Sequence, residues 1–112
     1  MDTKEFKKLL KSLKMPSSTE VIQRENNILE ARWRKVGGFA GERSIKRVAE
    51  EAVGAGFRVI GPADSTSADG SRVTHGSWFS NDDLLSVTKT YGVTSKQNEF
   101  SIVIRTVLTS NS

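Results

Sequence analysis

The chain has 112 residues, of which 36% are hydrophobic and 27% charged, the size and makeup of one globular domain with a single modest core. It has no cysteine, which excludes disulfides and thiolate metal sites, and no apolar run near the roughly 18–20 residues that a membrane span needs. Net charge is +4, but residues 1–47 carry +6 and residues 48–112 carry −2, an asymmetry that points to a polyanionic partner.

Met1-Asp2-Thr3-Lys4-Glu5 lacks the apolar stretch of a signal peptide, so a cytoplasmic or virion-associated protein is expected. Residues 2–14 then read as an amphipathic helix. Phe6, Leu9, Leu10 and Leu13 share one face, Asp2 and Glu5 form a capping box, and Pro16 ends the run. A second box, Ser17-x-x-Glu20, predicts a helix to Val36. Ile22, Leu29, Trp33 and Val36 fall in a sector of about 60° at helical pitch, and Gly37-Gly38 follows as a C-cap. A third helix is predicted from Gly41 to Val53 on the stripe Ile45, Val48, Ala49, Ala52 and Val53, closed by Gly54 and Gly56.

Past Phe57 the chain turns to serine, threonine and valine. Residues 57–60 read as a short strand closed by Gly61-Pro62, and Ala63 to Ser71 as a polar loop with its turn at Asp69-Gly70. Alternation from Ser71 to Phe79 predicts a second strand. Residues 84–93 allow a short helix capped by Ser80 and Asp83, but their β-branched and aromatic content favours a strand. Phe100 to Leu108 alternates with apolar residues on both faces, the pattern of a central strand, and a polar tail follows at Thr109 to Ser112. The expected fold is therefore one α+β domain over residues 1–112. About three helices (1–56) precede an antiparallel meander of about four strands (57–112).

Lys4, Lys7, Lys8, Lys11 and Lys14 span about 120° of the first helix, opposite its leucines, and a lysine stripe of this kind attracts phosphates. The predicted function is a non-enzymatic nucleic-acid-binding module that uses Lys4, Lys7, Lys8, Lys11, Arg24, Arg43 and Arg47, with no metal or cofactor. A solvated face partly neutralised by Glu5, Glu42, Glu50 and Glu51 is the competing reading. Phe6 and Trp33 are assigned to the core, leaving Phe39, Trp78 and Tyr91 as rings free to stack on bases. Gly37 to Ser44 is neither a Walker A loop nor a dinucleotide fingerprint, and reads as an interhelical turn.

The alternative function is a small homo-oligomeric assembly subunit, such as a viral ring, tail or capsid component, joined through sheet edges and the first helix. An enzyme is the third reading. It rests on His75, the single histidine, next to one of Asp64, Asp69, Asp82 or Asp83 and a serine from Ser71, Ser77 or Ser80. Without a glycine-flanked nucleophile turn, His75 reads as an ordinary strand residue, and Asp82-Asp83 as a turn rather than a catalytic pair.

Overall fold

A computed structural model describes residues 2–38, 40–81, 83–92 and 97–108. Two helices, α1 (Thr3–Ser12) and α2 (Ala40–Gly54), accompany six strands: β1 (Glu20–Arg24), β2 (Ile28–Val36), β3 (Arg58–Thr66), β4 (Arg72–Ser80), β5 (Leu84–Gly92) and β6 (Asn98–Val107). The strands form one antiparallel sheet in the order β1-β2-β6-β5-β4-β3. The expected three helices followed by about four strands is thus incorrect, although the chain does combine helices with an antiparallel sheet.

The error lies in the second helix. Residues 20–36 form the β1–β2 hairpin, turned by Asn26 and Asn27, whose φ angles of 61° and 59° are the left-handed pair that a tight hairpin turn requires. Asparagine tolerates this conformation better than other residues with a side chain. Leu29, Ala31 and Trp33 alternate into the core, while Glu30, Arg32 and Arg34 face the other way. The Ser17 box does not operate either, since Glu20 opens a strand.

The first helix forms as expected, with the Glu5 amide donating to Asp2 Oδ1 at 2.7 Å. The third predicted helix is α2, entered through Gly37 and Gly38, both at positive φ. Residues 84–92 are strand, as favoured, and β6 lies inside the sheet between β2 and β5. The first C-terminal strand runs longer than expected, straight through Gly61-Pro62. An edge strand can hold a proline, and the register slips between Val59 and Gly61 to accommodate it. Phe39, Asp82, Val93 and the Thr109–Ser112 tail lie outside the described residues.

Both helices cover one face of the sheet. Phe6 and Leu10 of α1, Leu13 at its C-cap, and Val48 and Ala52 of α2 join Leu29, Ala31, Trp33, Phe79, Leu85, Val87, Phe100, Ile102 and Ile104 in one core. The first turn of α2 comes so close to β6 that a Cβ on Gly41 would lie inside van der Waals contact of the Phe100 ring, which is fully buried. Gly54, at the other end of the same helix, has open space around it. Gly41→Ala should lower unfolding stability in urea by about 1–3 kcal/mol through overpacking. Gly54→Ala should be neutral or stabilise by up to about 1 kcal/mol.

Candidate nucleic-acid interface

The cations fall into two groups. On the helix-free face of the sheet, cross-strand register places arginines around acids. Glu30 is almost fully buried and is held by Arg24 (2.9 Å), Arg32 (3.5 Å) and Arg105 (2.5 Å). Farther along, Glu99 bridges Arg34 at 3.1 Å and Arg72 at 2.8 Å. Arg58, at the far side of that face, has no carboxylate partner among the described residues.

The helical layer differs. Lys4, Lys7, Lys8 and Lys11 are all exposed on α1, and Arg43, Lys46 and Arg47 are exposed on α2. Among the described residues no carboxylate lies within ion-pair distance of any of these seven. Glu5 and Glu50 share the two helices and moderate the local charge without neutralising it. Where the end of α1 meets α2, Lys14, Met15, Pro16, Ala40, Arg43, Ser44 and Arg47 line an open depression of about 380 Å³. Lys14 lies on its rim and also contacts Glu51 at 3.3 Å, tying the two helices together.

Six of the seven predicted contact residues therefore share the helical layer: Lys4, Lys7, Lys8, Lys11, Arg43 and Arg47. The seventh, Arg24, is on the opposite face and is occupied by Glu30 through both Nε and Nη2. Ser44 lines the same depression but escaped the sequence-based assignment, although it lies one helical turn before Arg47. Lys46 stands on the other flank of α2. Among the candidate stacking rings, Trp78 is partly exposed on the helix-free face and Tyr91 is half-buried. Phe6 and Trp33 are core residues, as assigned.

On the other flank of α2, Ile45, Ala49 and Val87 floor an open groove of about 350 Å³ edged by Glu42, Lys46, His75, Ser77 and Lys89. Lys89 Nζ lies 3.3 Å from Glu42 Oε1. His75 faces Asp64 across the β3–β4 hairpin, with Nδ1 3.0 Å from Oδ1, and its ring tilts against Tyr91 at 5.7 Å between centroids. The hairpin turn fixes this pairing. Asp69 accepts from the Ser71 hydroxyl and amide and from the Ser67 hydroxyl, which together hold its carboxyl down at about 2.

No family model matches the chain, and no curated protein does. A solved structure similar to it is the putative thioesterase YhdA from Lactococcus lactis, at 12% identity and a TM-score of 0.30, covering 84% of this chain and 92% of that one. A likeness at that score transfers neither fold nor function to this chain.

Burial works to raise the Glu30 carboxyl, but hydrogen bonds from Arg105 and Arg24, with their charges, outweigh it and hold the group below its ordinary value of 4.5. A carboxyl depressed in the folded state contributes stability above its unfolded value, and loses it as pH falls through the folded one. Wild-type stability should accordingly drop as pH falls below about 4.5, and Glu30→Gln should flatten that part of the profile. At neutral pH the same substitution should cost about 1–3 kcal/mol in urea unfolding. The half-exposed arginines keep water, so the loss stays below that of a fully buried pair.

Proposed function

We propose that the protein binds nucleic acid through its helical layer, contacting phosphates with little regard to sequence. The observation that carries this reading is the division of charge between the two faces. Cations on the helix-free face are mostly matched to Glu30 and Glu99, whereas Lys4, Lys7, Lys8, Lys11, Arg43, Lys46 and Arg47 have no carboxylate partner among the described residues. Unpaired cations on neighbouring helices repel one another, and a chain of phosphates relieves that repulsion while releasing its own counterions. Direct readout of base edges has no support, because no basic helix here presents a defined recognition surface.

The homo-oligomeric alternative has less behind it. Strand β1 is only five residues long, and β3 carries Pro62 and a register slip, so both edges have features that limit pairing with another strand. Among the described residues no helix is long and apolar enough to cross a membrane.

Fluorescence anisotropy with a labelled oligonucleotide tests the reading. Affinity should fall steeply between about 50 and 200 mM salt, with each phosphate contact contributing about 0.7 to 0.9 to the log–log slope. Lys7→Glu with Lys11→Glu, and separately Arg43→Ala with Arg47→Ala, should weaken binding and flatten that slope. Arg24→Ala should leave both unchanged. Equal losses from Arg24→Ala and from the helical variants would remove the helical layer as the interface.

A further inference from the structure

We propose that the groove between α2 and the β4–β5 strands cleaves RNA without a metal, by attack of the ribose 2′-hydroxyl on its own phosphodiester. The inference rests on the nucleic-acid reading above and extends it from binding to chemistry.

The groove brings together the groups that such a reaction uses. Glu42, Lys46, His75 and Lys89 all line it. Strand β4 supplies the histidine, β5 one lysine, and α2 the carboxylate and the second lysine one turn farther on. Asp64, 3.0 Å from His75 Nδ1, fixes the orientation of the ring. That leaves Nε2 as the nitrogen available for proton transfer, and Tyr91 braces the ring from one side. The apolar floor gives a ribose or base edge a surface to rest on.

The groove adjoins the phosphate-binding surface. Glu42 and Lys46 occupy the stripe of α2 next to that of Arg43 and Arg47, so the proposed nucleic-acid path and the groove are separated only by the width of one helix, about 10–12 Å with side chains. A strand held by Arg43 and Arg47 needs to cross only that ridge to place a phosphodiester over the groove.

The step balances within the substrate. Glu42 accepts the proton of the 2′-hydroxyl as its oxygen bonds to phosphorus. Lys46 and Lys89 stabilise the extra negative charge on the phosphoryl oxygens. As the bond from phosphorus to the 5′-oxygen breaks, protonated His75 delivers its proton to that oxygen. The products are a 2′,3′-cyclic phosphate and a 5′-hydroxyl. Glu42 ends protonated and His75 neutral, and proton exchange with water restores both. The nucleophile comes from the RNA, so the chemistry needs no activated serine.

The test incubates the full chain with an end-labelled RNA oligonucleotide, with DNA of the same sequence, and with the 2′-O-methyl analogue. Cleavage of RNA alone, giving cyclic-phosphate ends, is expected. His75→Ala and Glu42→Gln, purified in parallel, should each lose about 100-fold or more in cleavage rate, a loss larger than any change in their affinity for the uncleavable analogue. Both side chains are exposed, and thermal melting confirms that each variant is folded. A wild type that binds the oligonucleotide but leaves RNA intact overturns the proposal and spares the binding reading. Cleavage that persists in both variants also overturns it. Failure of the wild type to bind any oligonucleotide removes the binding reading and this inference together.

Discussion

The approach of α2 to the middle of the sheet constrains much of what surrounds it. With no side chain at Gly41, the first turn of the helix rests on the Phe100 ring, and Val48 and Ala52 continue the contact along the core. That seating decides which residues stand on either flank of the helix. On the α1 side stand Arg43, Ser44 and Arg47, with Lys14 opposite. On the β4–β5 side stand Glu42 and Lys46, facing His75 and Lys89. A larger residue at 41 would lift the helix and disturb both surfaces at once.

Electrostatics divides the two faces of the sheet in different ways. On the helix-free side, antiparallel register sets Glu30 opposite Arg105 of β6 and near Arg24 of β1, with Arg32 two residues along its own strand, so a buried charge is compensated by three partly hydrated ones. Burying one carboxylate among several guanidinium groups is tolerable because the arginines retain water and share its hydrogen bonds. On the helical side Glu51 pairs with Lys14 and Glu42 with Lys89, but among the described residues no acid lies within ion-pair distance of Lys4, Lys7, Lys8, Lys11, Arg43, Lys46 or Arg47. The net charge of +4 is therefore less informative than its arrangement, since the arginines of the sheet are engaged internally and the helical lysines and arginines are open to a partner.

Much of this was legible in the sequence. The leucine face of α1, the aliphatic stripe of α2, the β-branched run of β5 and the two-sided alternation of β6 each lead to the observed element. The β1–β2 hairpin was not, because Leu29, Trp33 and Val36 satisfy helical spacing as well as Leu29, Ala31 and Trp33 satisfy alternation. The decisive residues were Asn26-Asn27, which tolerate a left-handed turn that a helix interior forbids. Pro62 looked like the end of a strand and proved compatible with an edge. Of the site, the lysine stripe and Arg43/Arg47 could be read from helical spacing, whereas the engagement of Arg24 by Glu30 required the hairpin. The Asp64–His75 pair was within reach, because the two residues are equally far from the Asp69-Gly70 turn and a hairpin centred there sets them opposite each other. The groove itself was not, since Glu42, His75 and Lys89 meet only through tertiary packing.

The central claim is that the helical layer, and not the arginine-rich face of the sheet, receives the nucleic acid. Backbone amide shifts followed by NMR while a short oligonucleotide is added test it most directly. The account predicts that the largest changes cluster on α1 and on the exposed turns of α2 around Arg43 and Arg47, with little change at Arg24, Arg34 and Arg72. Changes concentrated on β1, β2 and β6 around Glu30, with α1 silent, would contradict it.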